Sequence, residues 1–76
     1  MNVRLSEEGL KIVDSRRKRK GWNKQDKRWH TQANTCLTTL KRFQAQDSIR
    51  VENFIRLCKA LDISDDDWYA LVDWSD

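Results

Sequence analysis

A chain of 76 residues has room for one small core, so we predict a single domain over residues 1–76. Charged residues make up 36% of the sequence and hydrophobic residues 38%, but four Trp, two Phe and one Tyr supply enough bulk for a core and exclude full disorder. With no Pro and only two Gly, the chain lacks the turn residues that a many-stranded β fold needs, so we expect an all-α fold.

The sequence predicts neither a membrane span nor a catalytic or metal centre. No apolar run approaches the length of about 18 residues that a membrane helix needs, and the first residues lack a signal-like apolar stretch. Cys36 and Cys58 lack metal-ligand spacing, and two free thiols in the cytoplasm are the favoured interpretation over one disulfide. His30 has no partner pattern typical of nucleophilic catalysis. We therefore predict a non-enzymatic protein without a cofactor or metal.

Charge is divided unevenly along the chain. Residues 16–42 contain ten Lys and Arg and one acid, whereas residues 62–76 contain six Asp and no base. A dense basic segment in a folded domain is typical of proteins that bind a polyanion, usually nucleic acid. The alternatives are a solvated helix face, an acidic protein or anionic lipid. Residues 16–20 have no apolar face beside them, which disfavours lipid.

Five helices are predicted in chain order, and the first two flank Gly21. Helix 1 covers residues 7–19, with Ser6 as its N-cap. Gly21 ends this helix, because glycine readily adopts the left-handed conformation that follows many helices. Trp22 is expected to fold back onto the core. Helix 2 covers residues 24–33, capped by Asn23.

Three further helices follow a tight turn at residues 33–35. Asn34 suits the left-handed conformation of that turn, and Thr35 caps helix 3 over residues 36–44. Helix 4 covers residues 50–61 with Asp47 or Ser48 as its cap, and helix 5 covers residues 65–74 with Ser64 as its cap. The predicted core contains Trp29, Leu40, Phe43, Phe54, Ile55, Cys58 and Leu61.

Helices 2 and 3, with the short turn between them, match a helix-turn-helix in which helix 3 enters the major groove of DNA. Lys41 and Arg42 lie one turn into helix 3, where a basic side chain can recognise guanine or contact a phosphate. Basic and polar side chains in helix 1 and at the start of helix 2 are expected to contact phosphates. The candidate DNA-binding residues are Arg17, Arg19, Lys24, Gln25, Lys27, Cys36, Thr38, Lys41 and Arg42.

The segment from residue 22 to residue 63 resembles the phage repressor and Cro-type helix-turn-helix family. The resemblance rests on ANTCLTTLKRF, in the position of the recognition segment, and on LCKALDI, at a later helix end. TLKRF followed by ENFIRLCKAL is also similar to N-terminal modules of cyanobacterial multidomain signalling proteins, including NACHT-type ATPases. The resemblance implies a compact five-helix bundle of the lambda-repressor-like type. It also implies sequence-specific binding of double-stranded DNA, in transcriptional regulation or as the DNA-binding module of a larger parent chain.

An alternative function is a protein–protein interaction module that has the repressor-like fold and has lost DNA binding. The resemblance implies an acidic partner for Arg17 after the recognition helix, but Gln44 stands at that position. His30 stands where the family has a small residue. Leu37 occupies a usual base-contact position, where it could contact a thymine methyl or pack inward, and we favour inward packing. An RNA or another anionic partner is also left open.

Tyr69 and Trp74 raise the question of self-association. If these two side chains are not buried within one copy, we expect a symmetric homodimer through helix 5.

Overall fold

The computed structural model describes residues 1–74. Two short strands, four α-helices and one 3-10 helix follow one another along the chain. In chain order they are β1 (Asn2–Val3), α1 (Glu7–Arg19), α2 (Lys27–Gln32), α3 (Leu37–Gln44), β2 (Ile49–Arg50), α4 (Val51–Lys59) and the C-terminal 3-10 helix (Trp68–Leu71). Within the described residues, no helix has the length and apolar character to cross a membrane.

The predicted all-α bundle of five helices is wrong, because β1 and β2 form a two-stranded antiparallel sheet beside four α-helices. Val3 pairs with Ile49 in this sheet, and both side chains are buried. Around β1 the exposure alternates, with Val3 and Leu5 buried and Asn2 and Arg4 exposed. This period of two is typical of a strand with one face toward the core. The fold is therefore a mixture of α and β structure.

The predicted helix over residues 65–74 is also wrong. A 3-10 helix replaces it, followed by an extended segment that pairs with the start of the chain. The N–H of Asp73 donates to the carbonyl of Arg4 at 2.8 Å, and the N–H of Ser6 donates to the carbonyl of Leu71 at 2.9 Å. Because these backbone groups bond to a distant segment, they cannot also form the hydrogen bonds of an α-helix.

Helix α1 confirms the bounds and both end signals that the sequence predicts. The Ser6 hydroxyl accepts a hydrogen bond from the N–H of Gly9 at 2.9 Å. Gly21 has a φ of 73°, and the N–H of Trp22 donates to the carbonyl of Arg17 at 3.2 Å. These features define a left-handed helix termination that satisfies the last carbonyls. Trp22 consequently turns back onto the core, as predicted.

The other three α-helices end in the same type of turn without a glycine. Asn34 has a φ of 56°, and Gln46 and Asp62 each have a φ of 63°. In each turn the residue after the left-handed one donates its N–H back to the helix, as when Asp47 donates to the carbonyl of Arg42 at 2.9 Å. This use of polar residues in the left-handed region explains how a chain with two glycines forms four helix ends.

Helix α4 begins one residue later than predicted and is not capped by Asp47 or Ser48. Arg50 occupies its N-cap position and makes no side-chain capping bond. The preceding residues 49–50 belong to β2, so the extended chain of the strand leads directly into the helix. The sheet therefore sets the start of α4.

A row of aromatic rings runs through the core and ends at the exposed Tyr69. The centroid distances are 6.3 Å for Trp22–Trp29, 5.9 Å for Trp29–Phe43, 5.2 Å for Phe43–Phe54, 5.9 Å for Phe54–Trp68 and 6.0 Å for Trp68–Tyr69. The predicted core is confirmed for all its members except Ile55, which is half-buried. Edge-to-face and offset contacts at these distances stabilise a core beyond the area that they bury.

Candidate nucleic-acid interface

Helices α2 and α3 are held together by a turn over residues 33–36. Asn34 donates its N–H to the carbonyl of Thr31 at 3.0 Å, and Thr35 donates to the carbonyl of His30 at 2.9 Å. The His30 ring is half-buried beside this turn, with Nδ1 3.4 Å from the carbonyl oxygen of Thr35. The turn is therefore fixed by backbone hydrogen bonds, which set how α3 leaves α2.

Trp29 anchors this unit to the rest of the molecule. Its ring is buried and lies edge-to-face against Phe43 of α3, at an interplanar angle of 86°. Its indole N–H donates to the carbonyl of Leu57 in α4 at 3.1 Å. One side chain of α2 thus contacts both neighbouring helices, and the orientation of α3 is fixed by the core.

The outer face of α3 has the composition that the sequence predicts. Thr38, Lys41, Arg42 and Ala45 are exposed, while Leu40 and Phe43 face the core. The exposed positions recur every three to four residues, so they form one stripe along the helix. The structure therefore presents a hydroxyl and two cations side by side on an exposed helix.

Leu37 is not packed inward, so that prediction is wrong. Its side chain is 38% exposed at the first position of α3. Leu40 and Phe43 define the buried face, and Leu37 lies on its flank at the free end of the helix, where no other element covers it fully. An apolar group is consequently available next to the polar stripe.

Cys36 lies at the start of the same helix and is its N-cap, in place of the predicted Thr35. Its thiol is exposed and lies 3.3 Å from the hydroxyl of Thr39. That hydroxyl, together with nearby backbone N–H groups, lowers the pKa of Cys36. Cys58 differs, because burial raises the pKa of its thiol to about 12. The two free thiols therefore differ strongly in accessibility and reactivity.

The start of α2 differs from the prediction. The helix begins at Lys27 and is capped by Asp26 instead of Asn23. The Asp26 carboxylate accepts hydrogen bonds from the backbone N–H of Arg28 at 2.9 Å and from its guanidinium at 2.8 Å. These bonds hold the pKa of Asp26 well below its usual range. A carboxylate therefore occupies the helix end where a phosphate was expected, and Lys24 and Gln25 lie in the preceding turn.

Arg17 is the candidate DNA contact that the structure places inside the protein. It is 7% exposed, and its Nη1 donates to the carbonyl of Trp22 at 2.8 Å. Its Nη2 lies 3.4 Å from a carboxylate oxygen of Asp14. Arg17 therefore stabilises the turn after α1 and does not reach a ligand. Among residues 1–74, the Arg17 Nε and both amide atoms of the Gln44 side chain are buried without a hydrogen-bond partner.

Some basic side chains form ion pairs or hydrogen bonds within the protein, and others do not. Lys20 forms an ion pair with Asp62 at 3.2 Å and lies 5.2 Å above the ring of Trp22. Arg16 donates to the carbonyl of Asp62. The basic side chains without an ion pair or hydrogen bond in the described chain are Lys18, Arg19, Lys24, Lys27, Lys41, Arg42, Arg50 and Arg56. Six of these eight cations lie in the basic segment, residues 16–42, and two of the six are on α3.

Arg50 and Arg56 are unpaired cations outside the basic segment, and the charge pattern of the sequence did not predict a role for them. A signal that could have found Asp26 was present, because an acid directly before KRWH is a strong N-cap. No comparable local signal marks Arg17, since its partner carbonyl depends on how the chain turns at Gly21.

No family model, curated protein or solved structure matches the chain.

Proposed function

We propose that the protein binds double-stranded DNA by placing α3 in the major groove, with α2, the turn and α3 acting as a helix-turn-helix. The observation that carries the proposal is the outer face of α3. Lys41 and Arg42 are exposed and unpaired there, on a helix that Phe43 fixes to the core. The resemblance to phage repressor and Cro-type sequences supports the same function. We infer a role in transcriptional regulation, or as the DNA-binding module of a larger chain.

Base recognition is assigned to α3. Arg42 has the planar donor set that binds guanine O6 and N7 together, and Lys41 can donate to the same edge or to a phosphate. Thr38 lies one turn earlier and offers a hydroxyl. The methyl groups of Leu37 can contact a thymine methyl, because this side chain is exposed at the helix start.

Phosphate contacts are assigned to the unpaired cations outside α3. Lys18 and Arg19 are exposed at the end of α1, and Lys24 and Lys27 are exposed around the start of α2. Each cation that neutralises a phosphate releases a counterion, which makes binding sensitive to salt. Arg17 is not included, since its guanidinium is committed to the turn at Trp22.

We also propose that the protein works in the cytoplasm. Both of its thiols are free, and Cys36 lies on the helix assigned to the DNA. A reducing compartment keeps such an exposed thiol available and unmodified.

Two alanine variants test the division of roles. If about six phosphates are neutralised, the logarithm of the binding constant should fall against that of the salt concentration with a slope of roughly −5. Lys24→Ala should weaken binding to every duplex alike and flatten the slope by about one unit. Arg42→Ala should cost about 1–3 kcal/mol on the preferred sequence and less on others. Fluorescence anisotropy on a preferred and a scrambled duplex measures both effects.

The second candidate function is a protein-interaction module, and the exposed Leu37 is the observation that favours it. Such a module would bind duplex weakly and without sequence preference, with a dissociation constant near the nonspecific range of about 10⁻⁴–10⁻⁶ M at physiological salt. Equal losses for Lys24→Ala and Arg42→Ala on every sequence would support this candidate and contradict specific DNA binding.

A further inference from the structure

Trp74 is a large aromatic side chain that the protein holds on its surface. It is 54% exposed, and its neighbour Tyr69 is 52% exposed. The indole N–H of Trp74 donates to the carbonyl of Tyr69 at 2.9 Å. The one polar atom of the indole is therefore already satisfied, so burying the ring against a partner would leave no donor unpaired. A side chain fixed in this way loses little entropy on binding.

A groove lies where the end of α2 meets the end of α4. Its volume is about 300 Å³. The lining residues are Gln32, Ala33, Asn34, Arg56, Lys59 and Ala60. Ala33 and Ala60 are small and buried, while Gln32 and Arg56 are exposed. This volume is at the lower limit of pockets for small molecules, which span about 300–1,000 Å³, so the groove has room for one side chain of a partner.

The segment around Trp74 is acidic, whereas the α2–α4 groove has an unpaired cation at its edge. Arg56 has no ion-pair partner among the described residues, and Lys59 is paired with Asp65 at 3.3 Å. Exposed Asp66 and Asp67 precede the 3-10 helix, whose Tyr69 carbonyl binds Trp74, whereas Asp73 is paired with Arg4 at 3.3 Å. A symmetric contact through Trp74 would bring two acidic segments together, which is unfavourable. A contact between the Trp74 segment and the groove brings acids toward an unpaired cation.

We propose that Trp74 of one copy of this chain enters the α2–α4 groove of a second copy, with Arg56 of the second copy facing Asp66 and Asp67 of the first. This contact joins two different surfaces, so a pair of copies keeps one free groove on one copy and one free Trp74 on the other. Head-to-tail contacts of this kind build chains of copies unless the rotation between them closes a ring. The proposal does not depend on DNA binding, and it is tested without DNA.

Two single variants separate the two surfaces. Trp74→Ala removes the aromatic anchor and leaves the groove intact, whereas Arg56→Glu reverses the charge at the groove and leaves Trp74 intact. Both side chains are exposed, so circular dichroism should show both variants folded. Sedimentation velocity over a concentration series should show the average mass of the wild type rising with concentration. Each variant alone should associate about tenfold or more weakly, as expected for an aromatic anchor or a reversed charge.

Mixing the two variants gives the sharpest result. A Trp74→Ala copy offers only the groove and an Arg56→Glu copy offers only Trp74, so the mixture should form one heterodimer and no longer chain. Lys18→Glu makes the same change in charge at an exposed position on α1 and should associate like the wild type.

A wild type that stays monomeric at every concentration would overturn the proposal. Undiminished association of Arg56→Glu alone would also overturn it, by indicating a symmetric contact through Trp74. An equal loss for Lys18→Glu and Arg56→Glu would show that only overall charge matters and would likewise overturn the groove assignment.

Discussion

Phe54→Ala is expected to lower the free energy of unfolding by about 3–5 kcal/mol. Phe54 is fully buried, with its ring centroid 5.2 Å from that of Phe43 and 5.9 Å from that of Trp68. Removing the ring leaves a cavity in the middle of the aromatic row, between α3 and the 3-10 helix. The loss is a large fraction of the roughly 5–15 kcal/mol by which single domains are stable. Chemical denaturation followed by circular dichroism measures it.

Ile12→Ala is the matched control for this change. Ile12 is also a large apolar side chain, but it is exposed on α1. Its truncation should change the free energy of unfolding by about 0.5 kcal/mol or less. Comparable losses for the two variants would contradict the placement of Phe54 in the core.

Gly9→Ala is expected to destabilise the protein by about 1–3 kcal/mol, because it overpacks a closed contact. Alanine normally stabilises a helix relative to glycine, by roughly 0.5–1 kcal/mol. A Cβ at Gly9 would overlap the carbonyl oxygen of Leu71, which is backbone and cannot rotate away. The C-terminal segment must therefore move away from α1, and the sign of the usual effect is reversed.

Amide hydrogen exchange identifies where Gly9→Ala acts. The N–H of Ser6, which bonds to Leu71, and that of Asp73, which bonds to Arg4, should exchange faster in the variant. The indole N–H of Trp29 should keep its protection, since it lies in a different part of the core. Ser15→Ala, at an exposed position of the same helix, should not change the exchange of either amide. A stabilised Gly9→Ala variant would refute the close packing of α1 on Leu71.

The parts of the fold that were predictable depend on neighbouring residues. Ser6 and Gly21 bound α1 through local hydrogen bonds, and both signals are readable within one or two turns of helix. The outer stripe of α3 follows from the spacing of Leu40 and Phe43 alone. Local chemistry was therefore sufficient for α1 and for the exposed face of the candidate interface.

The parts that were not predictable depend on contacts between distant residues. Arg4 and Asp73 come from opposite ends of the chain, and their pairing replaces the expected fifth helix with an extended segment. Arg17 was expected at the surface because it lies in a run of bases, but the carbonyl of Trp22 binds it inside the protein. No sequence period reports either contact, since both depend on tertiary structure.

Alkylation of Cys36 in the presence of duplex tests most directly whether α3 contacts DNA. Cys36 is exposed at the start of α3 with a lowered pKa, while Cys58 is buried with a pKa of about 12, so a thiol reagent at neutral pH should modify Cys36 alone. With duplex at about ten times its dissociation constant, nine tenths of the protein is bound and the rate should fall about tenfold. The protection should disappear at high salt, as the duplex dissociates. An unchanged rate of Cys36 alkylation with saturating duplex would contradict the assignment of α3 to the DNA.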